Sequence, residues 1–278
     1  MSNATPAPGP ECIAFIGGGN MAGAIIGGLV GQGVAPAQIE VVEPFDEARD
    51  RLKAQFGVIA QPQATPALAR ASLIVWAVKP QTFKDAAAQV RAHAGAALHL
   101  SVAAGIRSGS IAQWLGTQRV VRSMPNTPAL VGMGITAMYA RAGLGAADRA
   151  VAERVIATTG KSLWVEREEQ LDAVTALSGS GPAYVFFFLE AMTRAGVELG
   201  LPKDQAYQLA VETFRGASEL AARSDDPPEV LRQRVTSKGG TTHAAITSME
   251  SSGVAAAFEK AIRAAGDRAR ELGDEFGR

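Results

Sequence analysis

The chain of 278 residues has one cysteine, three histidines, three tyrosines and three tryptophans, and aromatic residues make up only 6% of it. One cysteine excludes an intrachain disulfide framework, and three scattered histidines give no cluster at zinc-ligand spacing. Net charge is absent as well: Lys plus Arg and Asp plus Glu are 27 each, so no general field draws the chain to nucleic acid or to anionic lipid. No apolar run approaches the ~20 residues that span a bilayer, and the N-terminus lacks the basic-then-apolar order of a secretory signal. A soluble, cytoplasmic protein with neither nucleic acid nor membrane as a partner is the expectation. The chain does have 47% hydrophobic residues, enough for a core in one large or two medium domains. Residues 1–10, MSNATPAPGP, are small, polar and proline-rich, and read as a disordered tail outside the fold.

Organisation begins at residues 12–23, CIAFIGGGNMAG, where a short apolar strand runs into a glycine turn and then into small, helix-compatible residues. Gly17, Gly19 and Ala22 form a G-x-G-x-x-A fingerprint whose glycines permit a tight turn and close approach of backbone to a pyrophosphate. The anion would sit on a helix N-terminus, where free N–H groups and the helix dipole favour negative charge. Alone, the fingerprint also fits a plain packing turn; placed after a strand, it points to a dinucleotide. A helix over 21–33 and a strand over 39–43 complete a βαβ unit. Glu43 closes that strand about 20 residues beyond the fingerprint, where a carboxylate accepts hydrogen bonds from the adenosine ribose; a solvated strand-end glutamate is the plainer alternative.

Helices are expected over 46–56 and, shorter, 67–70. Residues 73–78, LIVWAV, are continuously apolar, as in a strand buried on both faces of a parallel sheet. Lys79 and Pro80 stop it, and the Val78-Lys79-Pro80 turn should face the cofactor, because open α/β sheets bind ligands at strand carboxyl ends. A helix over 82–94 leads to a strand over 97–102 that ends in Ala103, Ala104 and Gly105, small residues that suit either a ligand or close helix–sheet packing. Further strands are expected over 119–123, 135–140 and 162–165, the MPNTPAL loop follows the first of these, and a helix covers 146–159. The fold class is therefore α/β: a Rossmann-type, doubly wound, mostly parallel sheet over residues 11–166, followed by an all-α domain over 167–278, where strand signals stop. The long helix expected over 183–199 is apolar over more than one face. It is either a buried core helix or, the preferred reading, an intersubunit interface.

Two stretches of the helical part are too rich in glycine and hydroxyls for helix interiors: residues 178–182, SGSGP, and 237–242, SKGGTT. In the second, backbone N–H groups and a capping hydroxyl could receive a carboxylate, although a capped interhelical turn fits the same residues. Dehydrogenases acting on alcohols usually need a histidine or lysine to move the hydroxyl proton. Here His93 and His99 read as surface or packing residues, His243 is at least as readily structural as substrate-facing, and Cys12 reads as a small hydrophobe. These absences point to a hydride acceptor that asks little proton transfer of the protein, such as a protonated imine.

Residues 171–192, LDAVTALSGSGPAYVFFFLEAM, and 235–246, VTSKGGTTHAAI, together with GGGNMA and WAVKP, resemble the signatures of the pyrroline-5-carboxylate reductase family. The resemblance covers essentially everything after the tail. It implies reduction of 1-pyrroline-5-carboxylate to L-proline with NADPH or NADH. It places cofactor contacts on Gly17, Gly18, Gly19, Asn20 and Met21, on Ala77, Val78, Lys79 and Pro80, and on Ala104. Substrate contacts fall on Glu168, Thr241 and Thr242, with the loop that includes Ser237 and Gly240 holding the substrate carboxylate through backbone N–H groups. Thr175 falls where a hydroxyl meets the ring nitrogen, orienting it and helping protonation. The resemblance also implies dimers through the helical domain that assemble into larger rings. Two residues depart from the family's habit. Lys238 stands where proline is common and adds a positive charge near a carboxylate site. Glu43 stands where members preferring NADPH carry small hydroxyl residues, so NADH should serve at least comparably, with Arg49 the nearest cation for a 2′-phosphate. A β-hydroxyacid-dehydrogenase-like enzyme is the rival, weakened because residues 179–189 contain no lysine; a non-catalytic dinucleotide-sensing subunit is the other.

Overall fold

The structure is a computed structural model that describes residues 12–277; residues 1–10, expected to be a disordered tail, lie outside the described residues. Eight strands form one sheet: β1 (Ile13–Ile16), β2 (Ile39–Val42), β3 (Ala60–Gln61), β4 (Leu73–Trp76), β5 (Leu98–Ser101), β6 (Val120–Met124), β7 (Gly134–Ala140) and β8 (Gly160–Trp164). Their order is β3-β2-β1-β4-β5-β6-β7-β8. All neighbours are parallel except β6 and β7. The doubly wound, mostly parallel sheet is as expected, with the strand order reversing between β1 and β4, the place where such sheets bind ligands.

The strands form where the sequence is continuously apolar because both faces are covered. Alternate residues of β1 feed opposite layers, as a two-residue period requires. Ile13 and Phe15 join Ile25, Ile26 and Leu29 on one face. Ala14 and Ile16 join Trp76, Phe83 and Ile111 on the other. Each of the buried isoleucine, leucine and phenylalanine side chains stabilises the fold by about 1.5–3 kcal/mol. Helices α1 (Asn20–Gly31), α2 (Asp46–Phe56), α3 (Pro80–Val90), α4 (Ser108–Leu115) and α5 (Ala146–Ile156) supply the layers. The glycines of α1 permit close packing. A Cβ on Gly27 would lie 2.8 Å from the Phe56 ring, and one on Gly28 would lie 2.6 Å from Thr158.

Three features differ from expectation. The two-residue β3 is too short to be seen in sequence, and the eight-residue α4 opens on serine and glycine with no local cap of its own. The helix expected over 82–94 instead starts at Pro80, whose fixed φ and missing N–H suit a first helical position, and ends at Val90. The SGSG stretch is more helical than expected: α6 (Gln170–Val174) passes into a π-helical turn, Thr175–Gly179, and only the bend at Ser180 separates it from α7 (Gly181–Glu198).

Contacts divide the chain into two compact units: one runs through Ser180 and takes back the chain from Ala265, and the other is Gly181–Ala264. The second unit contains α7, α8 (Lys203–Arg223), α9 (Pro228–Arg234), α10 (Thr241–Ser251) and the first part of α11 (Val254–Phe276). Inside it α7 packs on α8, with Gly196 making room for Ala206, whose Cβ lies 2.8 Å from where a glycine Cβ would stand. Phe258 meets Tyr184 and Phe188 edge-on, at 5.7 and 5.5 Å between ring centroids.

Candidate active site

The glycine turn lies at the carboxyl end of β1, where its conformation and its surroundings both demand glycine. Gly17 has φ +96°, and a Cβ there would lie 2.6 Å from the carbonyl oxygen of Ala77. Its N–H donates to the Val42 carbonyl at 2.8 Å, stitching the turn to β2. A Cβ on Gly18 would lie 2.8 Å from Leu52. Gly19, by contrast, faces open space, with nothing within 4 Å of its Cβ position. Gly19 is also the N-cap of α1, and no side chain caps that helix. The turn is thus closed on the protein side and open on the other, with free N–H groups of Asn20 and Met21 following it, a cradle that fits a pyrophosphate.

Glu43 is buried beside this turn. Its Oε2 accepts from the Gly18 N–H at 2.6 Å and its Oε1 from the Phe45 N–H at 2.9 Å. The carboxylate therefore pins the turn from behind while retaining lone pairs for a ribose hydroxyl. Arg49 is engaged locally. Its Nη1 donates to the carbonyls of Glu43 and Pro44 at 2.9 and 2.8 Å, and its Nη2 meets Asp46. Arg51 reaches the Gly18 carbonyl at 3.2 Å.

The turn after β4 stands next to the glycine turn, because β1 and β4 pair in parallel with Ile16 opposite Trp76. Ala77 and Val78 are half-buried, Lys79 is exposed as the N-cap of α3, and Pro80 opens that helix. After β5, Ala104 is half-buried next to Gly105, whose φ is +74°. The C-terminal end of α11 packs on this turn: a Cβ on Gly105 would lie 3.2 Å from the Phe276 ring and 3.3 Å from Leu272. Close packing and proximity to the strand end hold at the same residues here.

A buried ionic cluster links the next elements. Arg107 forms a two-pronged pair with Asp172 at 2.9 and 2.7 Å, and Arg122 pairs with Glu168 at 3.1 Å. Glu168 also accepts from the backbone N–H and the hydroxyl of Ser108, both at 2.6 Å. Glu168 thus caps α4 and neutralises Arg122, while Oε2, with one donor, retains a lone pair. Thr175 begins the π-helical turn, and its hydroxyl donates to the Leu171 carbonyl at 2.7 Å. That leaves the oxygen as an acceptor, a role that suits a protonated imine nitrogen better than proton donation does. Asn126 of the MPNTP loop, unassigned in the sequence reading, donates to the Ser178 carbonyl at 3.2 Å and accepts from the Ile135 N–H at 3.0 Å, fixing the same turn. Its sequence signal was an asparagine between two prolines, which reads only as a loop.

The second unit presents residues 237–242 by themselves. Gly239 has φ +76°, Gly240 is the N-cap of α10, and no side chain caps that helix. A Cβ on Gly240 would lie 2.7 Å from the Ser237 hydroxyl. Ser237, Lys238 and Thr241 are exposed and Thr242 is half-buried. The expected capping hydroxyl is not used, so the first N–H groups of α10 remain for an anion. Among the histidines, His243 is exposed in α10, His93 is half-buried in the turn after α3, and His99 is buried in β5. His99 Nδ1 accepts from the Trp76 indole N–H at 3.0 Å, which fixes it as neutral, and burial holds its pKa down to about 4. It is a packing residue. Cys12 is buried too, and burial pushes its thiol up, away from reactivity. No group of three or more His, Cys, Asp or Glu that could hold a metal exists among the described residues.

Comparison with known proteins identifies relatives of the whole chain. Residues 168–272 match a family model described as pyrroline-5-carboxylate reductase dimerisation. Residues 12–105 match one described as NADP oxidoreductase, coenzyme F420-dependent. Pyrroline-5-carboxylate reductase of Pseudomonas aeruginosa is 45% identical over 268 residues, covering 95% of this chain and 98% of that one. Among solved structures, a pyrroline-5-carboxylate reductase from Coxiella burnetii superposes with a TM-score of 0.88 at 37% identity, covering 94% of this chain and 98% of the other. The Plasmodium falciparum pyrroline carboxylate reductase, solved with NADP bound, gives 0.83 at 25% identity, with 95% and 98% covered. With identity of this level across nearly the whole length, the chain belongs to the pyrroline-5-carboxylate reductase family.

Proposed function

We propose that the chain reduces the cyclic imine 1-pyrroline-5-carboxylate to L-proline with NADH or NADPH. The observation that carries this reading beyond a generic dinucleotide protein is the start of α10. There, two glycines and an uncapped helix N-terminus supply N–H donors for a substrate carboxylate, and Ser237, Thr241 and Thr242 supply hydroxyls. Gly17, Gly18, Gly19, Asn20 and Met21 cradle the pyrophosphate, while Ala77, Val78, Lys79, Pro80 and Ala104 line the cofactor's path along the strand ends. When bound, the reduced nicotinamide supplies the hydride to the imine carbon. Thr175 Oγ1 accepts from the protonated ring nitrogen and so orients it. No histidine is required as a base, because the imine arrives with its proton and leaves as an amine. The protein's contribution is placement and exclusion of water.

The environment of Glu43 supports NADH being used at least comparably with NADPH. Its carboxylate is fixed beside the glycine turn, where like-charge repulsion with a 2′-phosphate costs about 1–4 kcal/mol. Arg49 is engaged with backbone oxygens and Asp46. The helical unit supports self-association, since Phe186 and Phe187 of α7 are 59% and 62% exposed, and a second copy is the natural cover. The deciding assay follows NADH and NADPH oxidation by the purified protein with pyrroline-5-carboxylate. The expected outcome is turnover with both, and kcat/KM for NADH equal to or above that for NADPH. No oxidation with either cofactor would overturn the reductase reading, and a strong NADPH preference would overturn the role given to Glu43.

A further inference from the structure

Among the described residues of the first unit, Phe45 is the one aromatic side chain left exposed, at 72%. Every other ring of that unit is buried or half-buried, so the exception calls for a cause. Its position supplies one. Phe45 follows β2 by three residues, and β2 lies beside β1 in parallel register with Val42 opposite Ile16. The carboxyl end of β2 therefore adjoins the glycine turn. A single carboxylate connects the two places: Glu43 takes the Gly18 N–H at 2.6 Å on one oxygen and the Phe45 N–H at 2.9 Å on the other. Phe45 is also the N-cap of α2 in extended conformation, and its carbonyl accepts from the Arg49 N–H at 3.1 Å. The ring is thus carried by a backbone held on both sides, which limits the ordering cost of binding against it.

In sheets of this topology the acidic residue ending the second strand meets the adenosine ribose, so the base continues past it along the same edge. We propose that Phe45 is the stacking platform for the adenine of the dinucleotide, an aromatic hold that does not depend on a 2′-phosphate. This rests on the dinucleotide half of the proposed function and not on the identity of the imine. A base stacked on an aromatic face gains enough for about a tenfold change in binding constant, and the contact is insensitive to charge. It complements Glu43, because a site that disfavours phosphate recognition needs another purchase on the adenosine half.

The test compares Phe45→Ala and Phe45→Trp with the parent protein, using NADH, NADPH and reduced nicotinamide mononucleotide, which has no adenine. Phe45→Ala should raise KM for NADH and NADPH by about tenfold, leave kcat unchanged and leave KM for the mononucleotide unchanged. Phe45→Trp should restore the parent values. Calorimetric titration of the full chain with ADP-ribose should show the same loss and recovery, whether or not the imine is turned over, which separates this proposal from the reductase reading. Unchanged affinity for NADH and ADP-ribose in Phe45→Ala overturns the proposal. So does an equal rise in KM for the mononucleotide, which would indicate general damage. A changed sedimentation coefficient with unchanged cofactor binding also overturns it, by making Phe45 a contact between copies.

Discussion

The two units cover apolar surface in opposite ways. In the first, β1, β4 and β5 are buried along their whole length and carry side chains into two separate cores. In the second, Leu189, Ala206 and Ala210 are the only described residues between Gly181 and Ala264 that are fully buried, while Phe186, Phe187, Leu199, Leu209 and Leu220 stand exposed. A sheet with helices on both faces completes its core from its own chain. A few helices of this length cannot, because too little of their surface faces inward. The difference teaches that the glycine turn sits on a unit with a complete core of its own, whereas residues 237–242 ride on a unit whose exposed apolar faces call for a second copy.

The sharpest way to break this comparison is to charge the exposed aromatic face. Phe186→Asp combined with Phe187→Asp should turn the protein monomeric in sedimentation and lower imine reduction by about 100-fold or more, since buried aromatic anchors dominate interfaces. Dinucleotide binding by the first unit, read by titration, should persist. Dimers that survive both aspartates would show that α7 is not the interface. The next largest effect belongs inside the first unit. Asp172 is nearly buried, with 7% of its side chain exposed, and balances Arg107 and Arg122. Asp172→Ala leaves Arg122 with Glu168 alone and should cost about 3–5 kcal/mol, the usual result of breaking a buried pair from one side. Chemical denaturation followed by the tryptophan signal would measure it; a loss under about 1 kcal/mol would show that the cluster is effectively solvated.

The same contrast explains what could be read in the sequence. Strands β1, β4 and β5 were legible because burial on both faces demands uninterrupted apolar runs, and the glycine turn was legible because φ +96° at Gly17 and the nearby Ala77 carbonyl leave glycine no substitute. Helix α4 was not, since its SGSIAQWL sequence opens on serine and glycine and its N-terminus is capped by Glu168 from far along the chain. The structural contacts of Glu168, to Ser108 and Arg122, are equally invisible in its local sequence. The π-helical turn was hidden for a related reason: it is held from a distance, by Asn126 donating to the Ser178 carbonyl and by the terminal methyl of Met124 lying against Gly179, contacts with no local signature. Local chemistry showed through; roles set by partners distant in sequence did not.

The smallest expected effect locates acid sensitivity in the unit that owns a core. His99 lies in β5, buried and neutral, with its pKa lowered to about 4 by burial and, secondarily, by Arg119. In the unfolded chain the same imidazole takes its proton near 6.5. Between these values the unfolded state binds more protons than the folded one, so stability falls as pH drops from about 6.5 toward 4 and is unaffected by His99 above that range. The loss across the window is on the order of 3 kcal/mol. His99→Gln removes the titration while keeping an acceptor for the Trp76 indole N–H, so its Tm should decline less steeply with acid than that of the parent. Because His99 is buried in the sheet unit against Trp76, the difference should appear in the transition that abolishes dinucleotide binding. Parallel declines in the two proteins would mean that the imidazole protonates in place at no cost, and that the core around β5 is less closed to water than its burial implies.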